Sequence, residues 1–373
     1  MRTGIDDAPL TRSTTAVARL LSSWPRWTAW GALIWSAAYA VAGLLWWRGA
    51  DWYPFAAVPM DRMSMSILEG APAEVVGPGF AVLGGLGVAA ATVFLVGTQS
   101  FIVRRAALVV GASSAVLATT LIPDYTMLGL LALWPVLLVF AFTGVPGDQD
   151  GLGDILYWHR VNLLLVFLGG LLWAAATLAA HRRSAGRCVH CGRRPGAAQP
   201  VSVLRRRHLL VRGRRWVLLA VLATIPYDVT RLAWWLGWPL GLTEELFVSL
   251  QDPPELLTVG LALAVLSTGG AALTHGLVAR WGEVFPRWIP RLRGRRVPVL
   301  LAVIPATTVT LTLPPAALMF ASSRVNGGFD LANWGVWLPS LVWLLWAIGL
   351  GGATWAYHQR RRGACAHCGP HPR

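Results

Sequence analysis

Long apolar stretches alternate with short polar segments along the whole chain. Seven of them approach or exceed the length of ~18 residues that indicates a membrane-spanning helix. These cover 27–47, 79–99, 161–180, 216–236, 255–277, 297–320 and 333–357, and shorter apolar stretches lie at 106–122 and 126–143. The pattern predicts an all-α, polytopic transmembrane helical bundle with about eight crossings, or nine if every stretch crosses.

The composition supports this class of protein. Of 373 residues, 55% are hydrophobic and only 13% are charged, and the mean hydropathy is +0.55. An ordinary soluble domain carries about 25% charged residues. The first apolar stretch, 27–47, is longer than the ~7–15-residue apolar core of a signal peptide, so we expect a helix of the mature protein.

Charge predicts the orientation in the membrane. All 32 basic residues are Arg, and 27 of them fall in 1–26, 100–105, 181–215, 278–296 and 358–373, which hold three acids. The intervening loops hold four Arg and twelve acids. The positive-inside rule then places both termini in the cytoplasm and the protein in the cell membrane. The same rule explains the excess of Arg over acidic residues without a nucleic-acid partner. We therefore expect the protein to contact the lipid bilayer and to bind no nucleic acid.

Two segments of the chain share the pattern H-x-R-x-x-G-x-C-x-H-C-G, at 181–192 and 358–369. A second match aligns Tyr39, Val41, Leu44, Trp46, Trp47 and Gly49 with Tyr227, Val229, Leu232, Trp234, Trp235 and Gly237. Both matches predict an internal duplication into two parallel four-helix repeats. The predicted organisation is a cytoplasmic tail 1–26, a first repeat 27–192, an Arg-rich cytoplasmic linker 193–215, a second repeat 216–369 and a tail 370–373.

One apolar stretch of the first repeat has no counterpart in the second. A cytoplasmic N-terminus and a cytoplasmic first motif require an even number of crossings between them, although five apolar stretches precede that motif. The segment 123–143 opens with Pro123-Asp124 and carries Pro135. We therefore expect a re-entrant or partly buried segment there, which favours eight crossings over nine.

All four cysteines lie in the repeated motif. Two C-x-x-C-G turns present four thiolates, enough for a tetrahedral structural Zn²⁺ site. The predicted ligands are Cys188, Cys191, Cys365 and Cys368, and His190 and His367 are expected beside the metal rather than on it. A redox-active pair of C-x-x-C motifs, iron–sulfur ligation and unligated tails remain alternatives, although no βαβ pattern surrounds the cysteines.

Three ionisable residues lie at membrane depth. Asp228 and Arg231 share a helical face where the first repeat has Ala40 and Gly43, and Asp124 opens the segment 123–143. Intramembrane charges cost at least ~2.5 kcal/mol each and normally face a partner or a wet cavity. The pair therefore indicates either a self-neutralised ion pair or a substrate or proton site near the repeat interface.

The function predicted from these features stays at the level of class. No P-loop, G-x-S-x-G or H-E-x-x-H motif occurs, so an enzyme is the less favoured interpretation. A transporter-like protein for a small solute or a lipid is favoured, with its substrate near the repeat interface. The alternative is a membrane scaffold or a metal or redox sensor that docks a cytosolic partner.

Several segments resemble a family. They are R-W-G-E-V-F-P-R-W-I-P from Arg280, the turn W-L-G-W-P-L-G at 235–241 and the two H-C-G tails. The chain resembles uncharacterised multi-pass membrane proteins of high-GC bacteria over most of its length. This resemblance implies the fold and the membrane location, and it implies no activity.

Overall fold

The protein is all helical in the part of the chain that its computed structural model describes. That part comprises residues 22–57, 66–132, 156–194, 203–252, 255–327, 330–363, 365 and 367–368. Within it, eight helices are long and apolar enough to cross a bilayer, and the extended backbone is limited to one isolated antiparallel bridge between Val284 and Arg296. The predicted all-α polytopic bundle of about eight crossings is confirmed.

Four of these helices precede the first cysteine motif. They are α1 (Trp24–Trp47), α2 (Ala73–Val96), α3 (Phe101–Val116), which continues in a π-helical turn at Leu117–Leu121, and α4 (Trp158–Ser184). Proline at position 25 suits the first turn of α1, where a backbone N–H has no helical partner. Ser100 caps α3 by accepting a hydrogen bond from the Val103 N–H at 3.4 Å.

The remaining helices follow the first motif. They are α5 (Val203–Trp235), the short α6 (Glu244–Ser249), α7 (Glu255–Gly276), α8 (Val299–Gly327) and α9 (Trp334–Arg361). At ~1.5 Å per residue, the 33 residues of α5 span about 50 Å, which exceeds the ~30 Å hydrocarbon core. Residues 203–215 of the predicted cytoplasmic linker 193–215 are helical and continuous with α5, and the bounds of the linker stay a prediction. Arginine favours helix, so its abundance there does not break α5.

The segment 123–143 is described as far as residue 132, and the rest of it lies outside the described residues. A helix begins at Thr126, whose backbone N–H donates to Asp124 Oδ1 at 2.8 Å. Asp124 is fully buried. It starts this helix in the manner of an N-cap, while the predicted re-entrant course of the segment stays a prediction.

The two sets of four helices share their main helix pairs and differ in how extensive these contacts are. In the first set α1 packs along α2, and α4 contacts α1 and α3. In the second set α9 lies between α5 and α8, and α7 contacts α5. The two sets meet where α8 contacts the turn Leu117–Leu121, and again at the ends of α4 and α9.

The two aligned helix ends have the same local geometry. Gly49 and Gly237 both have φ of 87°, and their N–H groups donate to Trp46 O and Trp234 O at 3.0 and 3.1 Å. This left-handed glycine after the last turn is a common helix ending. The likeness supports the predicted duplication, which stays a prediction.

Candidate metal centre

The first cysteine motif forms a tight turn directly after α4. Gly186, with φ of 62°, ends the helix, and the Cys188 N–H then donates to Arg193 O at 2.8 Å. The Gly192 N–H donates back to Cys188 O at 2.7 Å, and Gly192 has φ of 70°. A side chain is strained at that φ, so glycine after the second cysteine allows the turn to close.

The second motif follows α9 and lies against the first. Cys188 Sγ is 4.0 Å from Cys365 Sγ, and Cys191 Sγ is 3.3 Å from Cys368 Sγ. All four sulfurs lie within 4.8 Å of one another. A tetrahedral ion with Zn–S bonds of ~2.3 Å needs sulfurs about 3.8 Å apart. The four predicted ligands are thus brought together, and they can hold one metal ion.

The local environment favours a thiolate at Cys188. Burial raises the pKa of its thiol, but backbone N–H groups of Cys191 and His190 and the thiol of Cys368 donate to its sulfur and lower the pKa to about 6. Burial raises the pKa of Cys191. Four clustered thiols resist becoming four thiolates together, because like charges repel, and a shared cation removes that cost.

The two histidines of the motifs lie beside the sulfurs. The rings of His190 and His367 stack with centroids 3.6 Å apart and planes at 3°. His190 Nε2 donates to Ser22 O, just before α1, at 2.8 Å. Among the described residues, the group of candidate ligands contains the four cysteines and neither histidine. The predicted position of both histidines beside the metal, rather than on it, stays a prediction.

Arginines hold the two turns in place through backbone carbonyls. Arg182 Nη1 donates to Val189 O at 2.8 Å, and Arg362 Nη1 donates to Cys191 O at 2.9 Å. Arg193 Nη2 reaches Gly363 O at 3.0 Å. Arg362 and Arg193 therefore tie the two motifs to each other, whereas Arg182 holds the turn of its own motif. Sequence reasoning missed these roles, although the clustering of Arg around both motifs was a signal.

The arginine of H-x-R makes the same kind of contact in both motifs. Arg183 Nη1 donates to Phe94 O, near the end of α2, at 2.9 Å. Arg360 Nη2 donates to Leu277 O, just after α7, at 2.8 Å. Each residue therefore satisfies a carbonyl at the end of a neighbouring helix, which lacks a partner within its own helix.

Arg360 also belongs to an ion-pair network. Its Nη1 lies 2.9 Å from Glu283 Oε1, and Arg206 Nη2 lies 3.2 Å from Glu283 Oε2. Tyr357 donates to Gly282 O at 2.7 Å. The network joins α5, α9 and the loop between α7 and α8 beside the metal centre. The one available signal was that Glu283 is the only acid within 278–296.

Asp228 and Arg231 lie apart from the metal centre and do not pair with each other. Among the described residues, the ion pairs do not include either one. Asp228 Oδ2 accepts from Thr268 Oγ1 of α7 at 3.2 Å, whereas the Arg231 guanidinium lies over the rings of Tyr227 and Trp234 at 4.6 and 4.1 Å. The self-neutralised ion pair was a wrong interpretation, because the Arg231 side chain extends to aromatic rings rather than to its neighbour.

Asp124 is not part of that polar site. It lies at the start of the helix beginning at Thr126, on the other set of helices, and its Oδ2 is buried without a hydrogen-bond partner among the described residues. The adjacent Tyr125 hydroxyl accepts from Arg160 Nη2 at 3.2 Å. The three predicted polar residues thus occupy two separate places.

The chain matches no protein-family model, no curated protein and no solved structure. The resemblance to uncharacterised multi-pass membrane proteins of high-GC bacteria stays a prediction. Function is therefore inferred from the geometry of the described residues.

Proposed function

We propose that this integral membrane protein binds one structural Zn²⁺ through Cys188, Cys191, Cys365 and Cys368, and that the ion holds its two sets of helices together. One observation carries the proposal: four sulfurs from two distant chain segments lie within 4.8 Å of one another. Four thiolates complete the tetrahedral shell of Zn²⁺ and leave no open position for a substrate, as in structural zinc sites.

The pairing of the sulfurs favours a shared ion over two redox centres. The short separations of 3.3 and 4.0 Å run between the two motifs. Disulfide exchange centres of the C-x-x-C type use the two cysteines of a single motif as their reactive pair. Iron–sulfur ligation remains the alternative that metal analysis separates from zinc, because both use the same four thiolates.

The metal centre faces the cytoplasm in this proposal. The segments on its side of the bundle hold 27 Arg and three acids, and the positive-inside rule assigns such a face to the cytoplasm. Reporter fusions at residues 50, 150 and 190 test the orientation. A cytoplasmic reporter signal at residue 150 would contradict it.

Metal analysis of the purified full-length protein tests the zinc site. We expect one zinc per chain in the wild type and a loss of bound zinc in Cys188→Ser and in Cys365→Ser. His367→Gln is the matched control, because it alters a motif residue outside the candidate ligands and leaves four thiolates. Chelation should lower the thermal midpoint of the wild type and leave that of Cys188→Ser unchanged.

Three results would overturn the zinc proposal. One is a full equivalent of zinc retained by Cys188→Ser. Another is stoichiometric iron in the wild type, and the third is an unchanged thermal midpoint after complete removal of zinc. The last result would leave metal binding in place and exclude its structural role.

The unpaired charges on α5 favour a second function, transport of a small solute. The buried Arg231 guanidinium donates to Thr230 Oγ1 and Gly335 O at 3.3 and 3.4 Å and has no acid among its described partners, and the Asp228 carboxylate faces α7. Charges at membrane depth are costly, and they commonly mark a substrate, ion or proton path. We expect Asp228→Asn and Arg231→Ala to abolish uptake of the transported solute in proteoliposomes screened with ions and small solutes. Their thermal midpoints should stay close to that of the wild type.

The scaffold or sensor alternative makes the opposite prediction. It requires a cytosolic partner that is lost on cysteine substitution and retained in Asp228→Asn. Co-purification of cytosolic proteins with the wild type, Cys188→Ser and Asp228→Asn compares the scaffold and transport functions directly. Retention of every partner by Cys188→Ser would remove the reason for a scaffold.

A further inference from the structure

A groove of about 860 Å³ opens beside the metal centre, between the ends of α1, α2 and α4. Arg26, Arg183 and Leu95 lie at these helix ends, and Trp30, Leu33 and Thr92 line the part that runs along the helices. The volume falls within the range of ~300–1,000 Å³ that is usual for ligand sites. The groove is therefore large enough for a bound molecule.

The outer end of the groove is positively charged. Arg183 is fixed there because one of its N–H groups donates to Phe94 O at 2.9 Å, which leaves further N–H groups for a ligand. Among the described residues that line the groove, none is acidic. Arginine is suited to phosphate oxygens, since its planar fork donates two parallel hydrogen bonds.

The inner part of the groove is apolar. At ~1.5 Å per residue, Trp30 and Leu33 lie about 6 and 10 Å further along α1 than Arg26. Thr92 of α2 lines the same part, and its hydroxyl already donates to Val88 O at 2.8 Å. The order from charge at the helix end to apolar side chains in the span is the order of a phospholipid, whose phosphate lies at the interface and whose chains extend inward.

We propose that this groove binds one phospholipid with an anionic head group, whose phosphate lies between Arg26 and Arg183 and whose acyl chain packs along Trp30 and Leu33. The apolar wall favours a lipid over free phosphate, because inorganic phosphate would contact only the two arginines. This site is independent of the proposed zinc and transport functions.

Native mass spectrometry of the full-length protein in detergent tests the proposal. The probes are phosphatidylglycerol, phosphatidylcholine with the same acyl chains, and inorganic phosphate. We expect one retained phosphatidylglycerol on the wild type, weak retention of phosphatidylcholine, and no displacement by millimolar phosphate. The double variant Arg26→Gln/Arg183→Gln should lose at least about tenfold in phosphatidylglycerol affinity, because it removes two charge-assisted contacts.

Matched variants separate the groove from general surface charge and from misfolding. Arg293→Gln/Arg295→Gln removes the same charge from exposed positions in the loop between α7 and α8 and should retain the lipid. Arg26→Lys/Arg183→Lys keeps the charge and should retain more lipid than the Gln pair. Trp30→Ala leaves all charges in place and should still weaken retention, because it removes the apolar wall.

The proposal fails if both Gln pairs lose the lipid equally, since general surface charge then explains binding. It fails equally if the two lipids are retained to the same extent, or if phosphate displaces phosphatidylglycerol. If the Arg26→Gln/Arg183→Gln protein unfolds, Trp30→Ala decides, and unchanged retention in that variant would overturn the site.

Discussion

The interface between α1 and α2 and the interface between α5 and α7 occupy equivalent places in the two sets of helices, but they are built differently. Between α1 and α2, glycines bring the backbones together. A Cβ added at Gly43 would lie 2.5 Å from Gly77 O, and one added at Gly84 would lie 2.7 Å from the Ala40 N. Such close approach stabilises helix pairs in lipid through van der Waals contact.

Between α5 and α7, charged and polar side chains take the place of these glycine contacts. Arg231, which aligns with Gly43, lies against Gly260, where an added Cβ would be 3.4 Å from Arg231 Cδ. Asp228, which aligns with Ala40, accepts its hydrogen bond from Thr268. The apolar span of α7 is also the least buried of the eight described spans.

The difference indicates which helix pair is rigid and which pair can change conformation. An interface of backbone contacts has little freedom, because packed interiors tolerate few changes in separation. An interface of long polar side chains can change partners without moving its backbones far. Function that requires a conformational change or a polar ligand is therefore expected between α5 and α7.

The largest effect should come from adding one methyl group between α1 and α2. In Gly77→Ala the new Cβ would lie 2.7 Å from Gly43 O and 2.8 Å from the Trp47 N. Neither backbone atom can move alone, so the helices must separate, and we expect a loss of roughly 3 kcal/mol of stability. Thermal or denaturant unfolding in detergent measures it.

Two glycine variants serve as controls for that result. A Cβ at Gly79, on the same helix, meets nothing within 4 Å, and a Cβ at Gly260 meets only Arg231 Cδ at 3.4 Å. Gly79→Ala and Gly260→Ala should therefore be neutral or slightly stabilising, since Ala favours helix by ~1 kcal/mol over Gly. Equal loss in all three variants would show that the close approach is not what distinguishes the two interfaces.

A smaller effect on stability should distinguish Arg360 from Arg183, the two arginines that donate to backbone carbonyls at helix ends. Arg360 has a side chain only 4% exposed and binds both Leu277 O and Glu283, so Arg360→Ala should cost roughly 2–3 kcal/mol. Arg183 is exposed and has no acid among its described hydrogen bonds. Its replacement by Ala should cost ~1 kcal/mol or less.

A double-mutant cycle identifies the source of that difference. Glu283→Gln combined with Arg360→Ala should cost less than the sum of the two single variants, because both remove the same contact. Glu283→Gln combined with Arg183→Ala should be additive. Additive effects in both combinations would mean that Glu283 does not account for the larger contribution of Arg360.

The helices and the convergence of the cysteines could be predicted from the sequence. Apolar length determines the spans, and each motif directly follows a helix that ends on the same face, so few other arrangements of Cys188 and Cys365 were open. The positions of Arg231 and Glu283 could not be predicted in the same way. Their partners, Trp234 and Arg206 among them, depend on side-chain direction and on the path of a loop, neither of which follows from spacing.

The smallest change in stability should come from the polar interface itself. Asp228→Leu/Arg231→Met replaces both charges with apolar side chains of similar length. Because buried charges cost free energy that apolar side chains do not, stability should be unchanged or higher by about 1 kcal/mol. Unfolding in detergent measures this, and proteoliposome uptake with the same preparation should show that transport is lost.

The single variant Asp228→Asn keeps an oxygen for Thr268 and separates the loss of charge from the loss of that hydrogen bond. If the double variant instead falls by more than ~2 kcal/mol, the size of a buried contact that has been broken, the polar residues hold α5 to α7. The interface between α5 and α7 would then be structural like that between α1 and α2. A stable double variant without transport is the result that only a functional polar interface explains.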